Sequence, residues 1–168
     1  MIFSTERFNL TTERKIRTRE SEARELAEPL YGTYYPSIDT KGRMAFPNKL
    51  RDILGPEFYL VPGKGDRFIS VYSPEEYRKF EETLKTLPGN DGDKVRRIFH
   101  SATDKQVPDK QGRIFIKDNL LKYAEITDEV VVVGASYRAE IWSKANWDKF
   151  NASISLDDIG SVLDGLVI

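Results

Sequence analysis

From Tyr31 onward the chain alternates between two hydrophobic periods, and the alternation predicts a fixed order of elements. A short strand leads into Asp39-Thr-Lys-Gly-Arg43, where Gly42 can take the positive φ of a tight reversal. A second strand, Arg43 to Phe46, follows. Pro47 then stands near the first turn of a short helix whose apolar face is Leu50, Ile53 and Leu54. Phe58 to Val61 and Phe68 to Tyr72 read as a hairpin turned by Gly63-Lys64-Gly65-Asp66. Ser73-Pro74-Glu75-Glu76 starts another helix: Ser as N-cap, Pro in the first turn, Glu three residues after the cap. Tyr77, Phe80 and Leu84 continue its apolar stripe.

The same pattern returns after a shift of 70 positions, 39 to 109. Asp109-Lys-Gln-Gly-Arg113 repeats the bend with Gly112 in place of Gly42, and Ile114, Ile116 and Leu120 repeat Met44, Phe46 and Leu50. Val130 to Val133 and Arg138 to Trp142 form the second hairpin, turned near Gly134-Ala135-Ser136. Tyr72-Ser73, Tyr77 and Lys79-Phe80 recur as Trp142-Ser143, Trp147 and Lys149-Phe150. One bend could recur by chance; the register behind it marks a duplication. Tyr72, Tyr77, Trp142 and Trp147 are expected to anchor helices to the strands. A stacking platform for single strands would interleave them with Lys and Arg, and they are not so arranged.

Neither copy has enough apolar surface to stand alone, so the expected class is α+β, with two interleaved repeats forming one barrel and peripheral helices. The expected units are an N-terminal arm over 1–30, a first repeat over 31–88, a linker with a short helix over 89–101, a second repeat over 102–155 and a helical tail over 156–168. The arm holds a basic cluster at Arg14, Lys15, Arg17 and Arg19 and reads as solvated and partly disordered, or as an arm on phosphates. Pro88-Gly89-Asn90-Asp91-Gly92 reads as a breaker, with a helix beginning near Val95.

Composition narrows the function. Cys is absent from the 168 residues, which removes disulfides and thiolate metal sites and favours a reducing cytoplasm. No apolar run approaches the roughly 20 residues of a membrane helix. His100 is the only His, so the common nucleophile–base arrangements and zinc sites lack parts. The carboxylates show no paired spacing, and neither an enzyme nor a cofactor is expected. The net charge of −1 opposes nucleic-acid binding unless positive charge is gathered on one face and several chains act together.

Arg43 and Arg113 are the candidates for that face. A guanidinium can bridge phosphate oxygens or grip guanine bidentately, and a glycine bend would hold it on a rigid strand end. Asp39 and Asp109 are expected to orient the bends together with Gly42 and Gly112. On residue chemistry alone, a private Asp–Arg ion pair is an equal reading. Lys41, Lys49, Lys110 and Lys117 lie near the bends and are candidates for phosphates, although a surface lysine is more often simply solvated.

Ile38-Asp-Thr-Lys-Gly-Arg-Met-Ala-Phe-Pro47, with Lys49-Leu-Arg-Asp-Ile-Leu-Gly55, resembles the AbrB/SpoVT type of swapped-hairpin DNA-binding module. Two modules in this order, with Val107-Pro-Asp-Lys-Gln-Gly-Arg-Ile114 and Glu140-Ile-Trp-Ser143, resemble the MraZ family of bacterial regulators. The resemblance covers roughly residues 31–150. It implies a swapped-hairpin, double-psi-like β-barrel, ring-shaped homo-oligomers on the nucleoid, and repression by binding double-stranded DNA at promoter repeats before division and cell-wall genes. It also adds Arg51 to the residues near DNA. Family members tend to begin near the position of Tyr31, so residues 1–29 are additional, and Lys117 stands where the motif expects Pro. An antitoxin-like protein-interaction module on the same barrel is the alternative.

Overall fold

Strands covered on both faces cannot alternate visibly between apolar and polar residues. Phe58–Pro62 (β3), Phe68–Tyr72 (β4), Val130–Gly134 (β7) and Ala139–Ser143 (β8) are of this kind, and all are largely buried. The computed structural model describes residues 28–166. The other strands are Thr33–Tyr34 (β1), Arg43–Ala45 (β2), Asp104–Gln106 (β5) and Arg113–Phe115 (β6). The helices among the described residues are Asn48–Leu54 (α1), Pro74–Lys85 (α2), Gly89–Ala102 (α3), Asp118–Tyr123 (α4), Lys144–Ser153 (α5) and Leu156–Leu163 (α6). The architecture is α+β. The sequence expectation for the arm lies outside the described residues except at its end, where Leu30 pairs its backbone with Ser136.

A six-stranded antiparallel sheet runs β1-β7-β8-β4-β3-β5, and β2 pairs with β6 in a separate ribbon. Exchanging the two copies reverses the sheet order and leaves it unchanged, so a pseudo-two-fold axis relates the repeats. Its position follows from the register. Ser70 faces Glu140 in the sheet and Met44 faces Ile114 in the ribbon, each pair being one repeat position met by its own equivalent. The first strand of each copy crosses to the other copy's hairpin, β1 onto β7 and β5 onto β3.

The inner face of the sheet carries Phe58, Leu60, Ile69, Val71, Val130, Val132 and Ile141. These pack on Met44, Phe46, Ile114 and Ile116 of the ribbon region and on Leu50, Leu54 and Leu120 of α1 and α4. The outer face is covered by helices. Trp142 meets Trp147 and Phe150 of α5 at 5.5 and 5.4 Å, Tyr59 stacks on Tyr77 at 4.1 Å, and Tyr72 meets Phe80 at 5.5 Å. The recurrent aromatic residues are therefore packing anchors, as their matched positions indicate. Glu140, buried at the axis, accepts from Arg138 and from the Trp142 indole at 3.0 Å.

The helix starts follow local chemistry. Ser73 and Ser143 accept from the backbone N–H of Glu76 and Asn146. The glycine-rich stretch after Pro88 departs from the expected breaker, because α3 begins at Gly89. Gly89 enters with a φ of 65°, and Gly92 is buried against the Leu87 backbone, where a side chain would collide. The glycines open the helix and let it pack close. Arg96 of α3 then donates to the carbonyls of Leu84 and Leu87 at 2.9 and 2.8 Å, closing the end of α2.

Gly42 combines a φ of 82° with a position where an added Cβ would stand 2.6 Å from the Ile116 carbonyl oxygen. Gly42→Ala is expected to destabilise the fold by about 1–3 kcal/mol, read as a lower urea midpoint at unchanged slope.

Candidate nucleic-acid interface

The two bends are built alike. The Asp39 carbonyl accepts from Gly42 N–H, and the Asp39 N–H donates to the Arg43 carbonyl. Oδ1 of Asp39 accepts from the backbone N–H groups of Lys41 and Arg43, both at 2.9 Å. Oδ2 accepts from Arg43 Nε at 2.9 Å. In the second bend Asp109 makes the same contacts with Gln111 N–H, Arg113 N–H and Arg113 Nε, at 2.9, 2.9 and 2.8 Å. The backbone N–H of the arginine, with the guanidinium behind it, holds each carboxyl below the ordinary aspartate range. Asp39 and Asp109 thus accept the backbone N–H groups of the two bends, and Gly42 and Gly112 have φ values of 82° and 74° within them.

The bends also hold each other. The Gly42 carbonyl accepts from Ile116 N–H at 2.8 Å, and the Gly112 carbonyl accepts from Phe46 N–H at 3.0 Å. These bonds extend the ribbon at both ends, so each bend is closed by the strand of the other copy.

Register then decides where the arginines go. Met44 and Ile114 point into the core, which turns their neighbours outward. Arg43 lies opposite Phe115, and Ala45 lies opposite Arg113, so both arginines stand on one exposed face as a diagonal pair. Diagonal neighbours are about 7–8 Å apart at the backbone. Their side chains are 49% and 48% exposed. Each spends Nε on its aspartate and makes no hydrogen bond through its two terminal nitrogens within the described residues. The ion pair and an outward role, alternatives on residue chemistry, are compatible because they use different edges of the guanidinium.

The remaining candidates divide. Arg51 reaches across from α1 to lie over Gly112, with Nη2 donating to Asn48 at 2.9 Å, and lines an open groove with Pro108, Asp109 and Lys110. Lys41 and Lys110 are exposed on the bends themselves. Lys49 lines a separate hollow with Glu28, Tyr31 and Tyr34, so α1 directs Lys49 and Arg51 into different surroundings. Lys117 contacts Asp104 at 2.6 Å, and Asp104 also accepts from Gln106 at 2.5 Å. Gln106 in turn accepts from Phe115 N–H at 3.1 Å. The lysine at this departure from the motif thus neutralises a buried carboxylate, a partnership invisible in the spacing. His100 is exposed, with Nδ1 2.8 Å from the Arg96 carbonyl oxygen. No group of three or more His, Cys, Asp or Glu suited to a metal occurs among the described residues.

A model of one protein family, described as "MraZ protein, putative antitoxin-like", matches residues 30–96 and again 98–159, one bend in each stretch. Among curated relatives, the "Transcriptional regulator MraZ" of Thermoanaerobacter sp. (strain X514) is 41% identical over 143 residues, covering 83% of this chain and 99% of that protein. The protein of the same name from Desulforamulus reducens is 44% identical over 124 residues, covering 72% and 86%. That of Clostridium tetani is 39% identical over 140 residues, covering 82% and 98%. Duplicated bend, crossed pairing and matched relatives agree, and the chain belongs to the MraZ family.

Proposed function

We propose that the chain is a transcriptional regulator, not an enzyme, that binds double-stranded DNA through the exposed face of the β2–β6 ribbon. The observation that carries this reading is the diagonal pair Arg43 and Arg113, both anchored at Nε and both open at the terminal nitrogens. Donors held in this way lose little side-chain freedom on binding, and they suit phosphate oxygens or a guanine edge. Arg51, Lys41 and Lys110 extend positive charge around the bends. Lys49 and Lys117 would take outlying phosphates, with Lys117 the weaker of the two because Asp104 already engages it.

The relatives' printed name supports the regulatory role. The crossed pairings of β1 and β5 support reading the body as a swapped-hairpin, double-psi-like barrel of two units, 31–88 and 102–155. A net charge of −1 opposes binding by a single chain, so the reading requires several chains acting at once, as in a ring on successive promoter repeats near division and cell-wall genes. Helix α6 supports self-association: Leu156, Ile159, Val162 and Leu163 remain exposed on it, and Leu166 just beyond. Within the described residues, no helix is long and apolar enough to cross a membrane. A cytoplasmic, nucleoid-associated protein is the corresponding location.

Gel-shift titration on a promoter duplex tests the assignment. Arg43→Ala is expected to weaken binding by about 1–3 kcal/mol and to lower the salt slope by about one unit, with a smaller loss for Lys49→Ala. Arg43→Ala binding as tightly as the unaltered chain removes the site.

The bends also predict a response to acid. Folding depresses the pKa of Asp39 and Asp109, so their contribution is full above the unfolded value and disappears as pH falls through the folded values. The combined variant Asp39→Asn/Asp109→Asn should have a lower urea midpoint than the unaltered chain at about pH 6. The gap should narrow steadily below about pH 4. A gap that does not change with pH would contradict the carboxylate role.

A further inference from the structure

The exposed face of the ribbon carries four side chains: Arg43 across from Phe115, and Ala45 across from Arg113. Exchanging the copies carries Arg43 onto Arg113 but Phe115 onto Ala45. The charge of this face therefore obeys the pseudo-two-fold axis, and its apolar content does not. A second departure lies beside it: Arg51 covers Gly112, whereas its copy-related residue Leu121 lies beside Gly42. One edge of the face thus combines a single guanidinium with a phenyl ring. The other holds two guanidiniums near the small Ala45.

Phe115 is 46% exposed and makes no aromatic contact among the described residues. Its backbone N–H is held by Gln106, and its strand is locked between Met44 and both bends, so the ring is presented from a fixed frame. Directly opposed residues in an antiparallel pair stand about 4.5–5.5 Å apart at Cβ. That is between one and two base steps of about 3.4 Å on a DNA strand, which puts the ring within reach of bases beside those near Arg43. The major groove admits a two-stranded ribbon, and the apolar group its base edges present is the thymine methyl. Wedging between stacked bases needs a side chain that enters the stack, whereas a thymine methyl already projects into the groove toward a ring exposed on the ribbon face.

Resting on the DNA-binding reading above, we infer that Phe115 is a specificity residue. It receives the 5-methyl group of a thymine next to the position engaged by Arg43, and it thereby orients this chain on the duplex.

The test selects bound sequences from a pool of random duplexes with the full-length protein, Phe115→Ala, Phe115→Leu and the exchange Ala45→Phe/Phe115→Ala. The unaltered chain should enrich thymine at a defined position, Phe115→Leu should retain it, and Phe115→Ala should lose it while neighbouring preferences persist. The exchange should move the thymine preference to the opposite side of the selected sequence. Replacing that thymine by uracil should weaken the unaltered chain about fourfold, the worth of one buried methyl, and leave Phe115→Ala unaffected. If Phe115→Ala does not fold, the uracil response and the Phe115→Leu and exchange selections still decide. An unchanged thymine preference in Phe115→Ala or in the exchange, or an unaltered chain indifferent to uracil, overturns the inference alone. Failure of the unaltered chain to select any duplex overturns the DNA-binding reading, and this inference with it.

Discussion

Neither copy of the repeat can complete its own glycine bend. The carbonyl of Gly42 is satisfied by Ile116 N–H and that of Gly112 by Phe46 N–H, so every bend depends on the strand of the other half. Buried backbone groups left unpaired would cost more than a typical hydrogen bond contributes. The ribbon is thus the joint on which both the core and the exposed arginine face depend. It buries Met44 and Ile114 inward, and the same pleat directs Arg43 and Arg113 outward on one side.

This reciprocity links stability to the candidate function. The carboxylate that organises each bend also fixes the Nε edge of the arginine, so one Asp serves both the backbone turn and the side chain beyond it. The pairing leaves the guanidinium charged and directional without consuming its outer nitrogens. A flexible lysine offers no such arrangement, and the four lysines expected near the bends accordingly fall into different settings.

What the sequence disclosed is what local chemistry controls. Gly42 and Gly112 announce positive φ, Ser73 announces a helix start, and the 70-position register announces equivalent aromatic anchors. From hydrophobic pattern alone, cross-pairing was legible only as a need to share a core; no residue says that β1 must lie on β7 rather than near its own hairpin. Whether Arg43 and Arg113 point the same way depends on a register between strands 70 positions apart, which no spacing within one strand can reveal. The Gly89–Gly92 stretch misled because glycine ends helices when it is solvated, yet here it serves entry and close packing. Lys117 was ambiguous for a related reason: its partner Asp104 sits on β5, across a bend.

The meeting of Ser70 and Glu140 in mid-sheet has a consequence of its own. In a homodimer of separate half-length chains, any residue on the symmetry axis must confront an identical residue. Glutamate there would oppose glutamate, two carboxylates sharing one dry site. Joining the halves in a single polypeptide lifts that restriction, and this molecule exploits the freedom by setting a small hydroxyl against an acid that Arg138 and Trp142 can satisfy. Covalent fusion thus permits unlike chemistry at a place where symmetry would otherwise forbid it, and it lets the two halves diverge without losing their fit.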